Sequence, residues 1–360
     1  MNKKYKGDKM NNLKKLGLSA LASSLVAVSV QAGEMAVTGS ANVTYKTGKT
    51  QSSGKSIGTD KDVAFTGTGE LDNGYTFVVS TLLTDAYSVS SSYTSMTLGS
   101  LGTLTAGADF GGASYKYDEE IPQAYEQTSD AQQNSANIVG NVMDNNSIVY
   151  NSPAFEFEGA TISFDAEYAF NASGNSANDG GQAAVNDSIG QGMGLGVTAK
   201  YEGGVFGIYA NERDRTAPAS SLQRAPFEGV WYAKYSMGPV SVGYSQSYLD
   251  SGEVTTVEAA TATKGIRTAG GLFESESMSI AFNVNDDLSV SYTETEDVYD
   301  AQDNAAAAIA DVTQTSEALQ IAYSMGAMSV KAYQMETSNP GYSTTAPSKS
   351  VTEIALGLSF

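Results

Sequence analysis

A chain with neither histidine nor cysteine has few chemistries open to it. Nucleophile–histidine pairs and zinc sites built on His and Cys are excluded. What remains is carboxylate and ammonium chemistry. The segment YKYDEEIPQAYEQ gathers Asp118, Glu119, Glu120 and Glu126, and a second cluster comprises Glu294, Glu296 and Asp297. Paired carboxylates can hydrolyse glycosides, but a solvated acidic loop base explains the second cluster more simply. The oxygen-rich DVYDAQDN could ligate Ca²⁺, although its spacing does not match an EF-hand. GQGMGLG at 190–196 leads into a strand rather than a helix, so it lacks the context of a nucleotide-binding loop. No catalytic residue, cofactor or metal site is expected.

Overall charge narrows the partners. The 360 residues include 20 Lys plus Arg and 40 Asp plus Glu. Residues 1–32 read as an export signal: Lys3, Lys4, Lys6, Lys9, Lys14 and Lys15 precede the apolar LGLSALASSLVAVSV, and Val30-Gln31-Ala32 suits cleavage. The apolar run is shorter than a spanning helix needs. Removing this leader takes away six lysines and one aspartate, so the 20 basic residues become 14, the 40 acidic become 39, and net charge is −25. Such a charge repels nucleic acid and anionic membrane surfaces. An exported chain without cysteine has no disulfide frame, so its stability must come from extensive backbone pairing or from a membrane.

Residues 33–360 contain no long apolar run and instead alternate with period two. In MAVTGSANVTY, Met35, Val37, Gly39, Ala41, Val43 and Tyr45 share one face; in SMSIAFNV, Met278, Ile280, Phe282 and Val284 oppose Ser277, Ser279 and Asn283. That is the pattern of a strand with one apolar and one polar face. An internal echo, AKYSMGPVSVGY against IAYSMGAMSVKAY, repeats a hairpin, and Asn73-Gly74 is a strong turn pair. Sixteen strands follow, near 34–46, 61–71, 75–84, 91–99, 102–109, 146–154, 159–171, 191–202, 204–213, 228–237, 239–250, 271–284, 287–297, 316–325, 328–337 and 349–360. Short turns and longer polar connections alternate between them. Strand parity sets Lys200, Lys234 and Lys331 on the polar face, as a basic patch or as scattered charges.

A soluble β-sandwich also alternates. Three features point instead to an all-β, 16-stranded antiparallel transmembrane β-barrel with short periplasmic turns and long extracellular loops. Connection lengths alternate short and long. The polar face is rich in Ser, Thr, Gly, Ala and Asn. Tyr201, Tyr235 and Tyr323 end strands just before short turns, where an interfacial girdle lies. In hydrocarbon an unpaired sheet edge costs several kcal/mol per group, so the sheet must close. A ring of about 16 strands is too wide for side chains to fill and encloses water. The final VTEIALGLSF then sends Ile354, Leu356, Leu358 and Phe360 to lipid, and Glu353 to water.

GSANVTY, TLGSLGTLTAGADF before a long third loop, NNSIVYNSPAF after it and the terminal LSF, in this order, resemble the general diffusion porins of Gram-negative outer membranes, particularly the alphaproteobacterial type. The resemblance spans the whole chain after the leader. It implies homotrimeric, water-filled channels in outer-membrane lipid, passing small hydrophilic solutes and ions. It also implies a third loop, here 110–145, folded inward as a constriction in which Asp118, Glu119, Glu120 and Glu126 attract cations. The arginine ladder usual on the opposing wall is missing: only Arg213, Arg215, Arg224 and Arg267 follow the leader, at strand ends or in long loops. The reading is therefore a single porin barrel over 33–360, passive and cation-selective, and not an enzyme. A solute-specific channel, a secreted β-sandwich and a surface-layer protein stand as alternatives.

Overall fold

The structure, a computed structural model, describes residues 33–49, 56–85, 88–118, 120–128, 143, 145–172, 189–215, 225–250, 252, 272–300 and 311–360. The alternating segments form β1 (Glu34–Lys49), β2 (Ser56–Glu70), β3 (Thr76–Leu83), β4 (Val89–Thr97), β5 (Thr103–Ala108), β6 (Ser147–Asn151), β7 (Phe155–Phe157), β8 (Ala160–Ala169) and β9 (Ile189–Tyr201). They continue as β10 (Gly204–Arg215), β11 (Phe227–Met237), β12 (Val240–Asp250), β13 (Leu272–Asn283), β14 (Leu288–Asp300), β15 (Val312–Met325), β16 (Met328–Ser338) and β17 (Lys349–Ser359). No α-helix occurs among the described residues.

Apart from β6 and β7, each strand pairs antiparallel with its neighbours in sequence, and β17 returns to β1 with Ser40 opposite Ser359, closing the ring. β6 and β7 both pair with β8. They are two pieces of one stave, interrupted at Ser152-Pro153-Ala154, where proline cannot donate to the ladder. The barrel therefore has sixteen staves, as the alternation predicts, although the expected uninterrupted 146–154 strand ends earlier. β2 begins at Ser56 rather than 61. Thr59 and Lys61 interrupt its apolar face, and pairing with β1 as far as Lys46 holds this stretch extended.

Short connections lie on the rim that also carries Glu34 and Phe360. Glu202 and Gly203, between β9 and β10, both have positive φ (41° and 88°). This is the left-handed pair that matches the twist of a two-residue hairpin. Gly74 supplies the same freedom at φ 80° after Asn73.

Burial is inverted relative to a soluble protein. On β13 Met278 is 51% exposed, whereas its neighbour Ser277 is 3% exposed. The same alternation puts Leu195, Phe206, Ile208, Val242, Leu319, Ile321 and Ile354 on the outer surface. An aqueous medium would penalise this surface; acyl chains do not. The buried apolar clusters lie inside the barrel, where loops meet the wall. One contains Tyr117, Val149, Tyr209 and Tyr232, a second Phe273, Tyr299 and Tyr342, and a third Tyr333, Met335 and Val351 with Tyr125 against it.

Candidate functional site

The chain between β5 and β6 enters the lumen through a clasp. Asn145 Nδ2 donates to Asp109 Oδ1 (2.8 Å) and Asp109 N–H donates to Asn145 Oδ1 (3.1 Å). The next turn needs glycine: Gly112 has φ 59°, and a Cβ there would lie 2.5 Å from Glu167 Oε1 on β8.

Asp165 on β8 anchors the first half of the segment. It accepts hydrogen bonds from Lys116 Nζ, Tyr117 Oη and Asn151 Nδ2, each at 2.6 Å. The Tyr117 ring stacks on Tyr209, with centroids 5.2 Å apart. It also lies so close to Gly196 that a Cβ there would come within 2.4 Å of the ring. Gly194 and Gly196 of GQGMGLG thus make room for the Tyr209 and Tyr117 rings inside the barrel. Burial, then the Asp165 hydrogen bond, pushes the Tyr117 phenol well above its ordinary range.

Farther on, Glu120 forms an ion pair with Lys234 of β11, whose Nζ lies 5.3 Å from the Tyr232 ring centre. Ile121 is fully buried, and Pro122 lies against Gly243 of β12. Ala124 N–H donates to Ser291 Oγ (2.9 Å) on β14, and Tyr125 N–H to Gln320 Oε1 (2.8 Å) on β15. Gln320 Nε2 returns a hydrogen bond to the Glu126 carbonyl. The Tyr125 hydroxyl donates to Glu353 Oε1 (2.8 Å) on β17, and its ring centre lies 4.9 Å from Lys331 Nζ on β16. Burial, followed by the charges of Glu126 and Glu353, raises the Tyr125 phenol strongly. Thr128 and Thr295 share a 2.7 Å hydroxyl contact. Glu353 is also held by Tyr333 (3.0 Å) and Lys46 (2.7 Å).

These contacts lie along the arc from β8 to β17. The arc from β1 to β4 presents Ser40, Asn42, Asp60, Asp62, Thr66 and Ser80 inward, on the parity opposite to the outward Val43 and Phe65.

Of the residues singled out from sequence, Asp118, Glu120 and Glu126 lie on the inserted segment, while Glu119 falls outside the described residues. Lys234 and Lys331 touch that segment directly, Lys234 as the ion-pair partner of Glu120 and Lys331 over the Tyr125 ring. Lys200 is exposed on the inner face of β9, between Thr161 and Val205. Arg213 is bound to Glu228 at 3.3 Å; Arg224 and Arg267 fall outside the described residues. Asp165, Asp60 and Asp62 emerge as lumen residues that sequence reasoning did not select. Their inward parity was the available signal. The second acidic cluster divides: Asp297 is 2% exposed inside, whereas Glu294 and Glu296 face outward.

A closed barrel with an apolar exterior, a polar interior and a loop laid along its inner wall defines an outer-membrane diffusion channel. The chain belongs to the Gram-negative porin family, whose model matches residues 17–360. Solved structures agree in fold. OmpF of Salmonella typhi, in complex with daunomycin, superposes with a TM-score of 0.66 at 14% identity, covering 93% of this chain and 100% of its own. An anion-selective porin from Comamonas acidovorans gives 0.60 at 15% identity, covering 91% and 100%. The trimer form of OmpT from Vibrio cholerae gives 0.53 at 11% identity, with the same coverage. No curated protein sequence matches the chain.

Proposed function

We propose that this porin is a passive general diffusion pore that favours cations, with the segment 110–145 as its constriction. Asp118, Glu119, Glu120 and Glu126 are its loop acids, and Lys200, Lys234 and Lys331 its lumen bases. The water path runs between that segment and the β1–β4 wall. One observation carries the sign of the selectivity. Lys46, Lys116, Arg213 and Lys234 are each tied to a carboxylate, whereas no ion pair among the described residues reaches Asp60 or Asp62. The lumen field is therefore net negative along the open arc. Transport needs no catalysis. The fold shared with an anion-selective porin leaves the sign to the lumen side chains.

The active unit is a homotrimer that meets through the β1–β5 wall, after export directed by residues 1–32. That wall points Gly39, Ala41, Lys61, Gly67, Thr94 and Ala106 outward. A lysine facing hydrocarbon costs about 2–4 kcal/mol at mid-membrane, and small side chains let two backbones approach. The deciding experiment is the reversal potential of reconstituted channels in a salt gradient. Cation preference that weakens as salt rises is expected, and anion preference overturns the reading.

A further inference from the structure

The outer surface carries one feature that solute diffusion does not use. High on β10–β14, toward the rim of long connections, Gly229 and Ala210 leave a depression of about 470 Å³. Its walls include Phe227 and Trp231 from β11, Tyr248 from β12, Glu274 and Glu276 from β13, and Glu296 from β14. These side chains share the outward parity of Ile208, Met278 and Ile280, which continue the wall toward the membrane centre.

Two properties set this groove apart from ordinary lipid-facing wall. The first is aromatic. The Trp231 ring lies 5.3 Å from Tyr244 and 6.2 Å from Phe206, and its indole N–H donates to Gln246 Oε1 (3.1 Å). Phe227 and Tyr248 form a second pair at 6.1 Å. The second is uncompensated negative charge. Glu276 stands directly opposite Glu296, and beyond the groove Glu294 opposes Glu317, which opposes Glu336. Like charges directly opposite on a sheet destabilise it. The outward positions of β10–β16 contain no Lys or Arg among the described residues, so no described side chain of this wall neutralises the groove's carboxylates.

We infer that this groove binds the cationic headgroup of an amphiphile, an amine or quaternary ammonium, whose chain lies along the apolar wall below. Soft cations are attracted to aromatic faces, and carboxylates at the groove wall complete the charge match. A hard metal ion prefers a cage of converging oxygens. No three acidic groups close enough to hold a metal occur among the described residues. Height selects the same occupant: the groove sits at the end of the apolar band, where a headgroup meets water.

Trp231 is the only tryptophan in the sequence, so its fluorescence reports this groove alone. The purified barrel in a neutral dodecyl-chain detergent is titrated with dodecyltrimethylammonium, with dodecyl sulfate, and with calcium alone. A saturable change in Trp231 emission with the cationic amphiphile only is expected. The triple variant Glu274→Gln, Glu276→Gln, Glu296→Gln weakens it by about tenfold or more, and Gly229→Val, which fills the depression without altering charge, abolishes it. Both variants keep the parent's heat-dependent gel mobility and conductance, which separates the outer groove from the lumen. An equal response to dodecyl sulfate, a response to calcium alone, or an unchanged response in both variants overturns the assignment.

Discussion

The ring of Phe360 lies across Gly39, and the two residues exchange both main-chain hydrogen bonds: Gly39 N–H to the Phe360 carbonyl at 2.8 Å, and Phe360 N–H to the Gly39 carbonyl at 3.0 Å. A Cβ on Gly39 would approach Phe360 Cζ to 2.5 Å. The first and last staves are therefore joined where an aromatic ring lies over a residue that must be small.

Gly39→Ala should displace the Phe360 ring and cost about 1 kcal/mol. Phe360→Ala should cost about 1–2 kcal/mol, less than a core phenylalanine because the ring is 77% exposed. In the Phe360→Ala background Gly39→Ala should be nearly neutral. Thermal or denaturant unfolding of the four proteins measures the coupling, and strict additivity would contradict the contact.

Asp165→Ala should release the inserted segment near its start. Lys116, Tyr117 and Asn151 would lose their shared acceptor, and the cost is about 2–3 kcal/mol because Tyr117 is buried. Single-channel records should show larger, noisier conductance. Asp165→Asn keeps one acceptor and should fall between parent and alanine variant.

Selectivity should move in opposite directions when lumen acids and when a lumen base are neutralised. Asp60→Asn with Asp62→Asn removes charge from the open arc and should shift the reversal potential toward zero, most strongly at low salt. Glu120→Gln leaves Lys234 without the carboxylate it pairs with and should also reduce cation preference. Lys234→Gln should increase it. A reversal potential indifferent to all three changes would show that selectivity arises elsewhere.

Seating of the segment should ignore pH across the neutral range. Tyr117 and Tyr125 have phenols raised above their ordinary value near 10, in both chiefly by burial. A raised pKa stabilises the protonated form in the folded state. That contribution is complete below about pH 10 and is lost as pH climbs toward the folded value. Conductance noise should therefore rise only in strong alkali, together with tyrosinate absorbance. Tyr125→Phe should delay the rise, since the remaining ring cannot ionise.

Much of the wall was legible in the residues themselves. Met278, Ile280 and Phe282 declare an outer face by spacing alone, because side chains of a strand alternate whatever the strand pairs with. The terminal Ile354, Leu356, Leu358 and Phe360 do the same. Where the outward face is interrupted, as at Thr59 and Lys61, the strand start was missed, because pairing with β1 rather than local pattern keeps it extended.

Sequence alone determined which side chains point in and out, that the sheet must close, and that an acidic segment follows the fifth stave, since period two and connection length are local properties. Only tertiary structure decided that Lys234 meets Glu120, that Tyr125 reaches Glu353, and that Glu276 faces Glu296. Such contacts depend on the path a loop takes across the lumen and on cross-strand register. Both are set by the closed ring as a whole rather than by any segment within it.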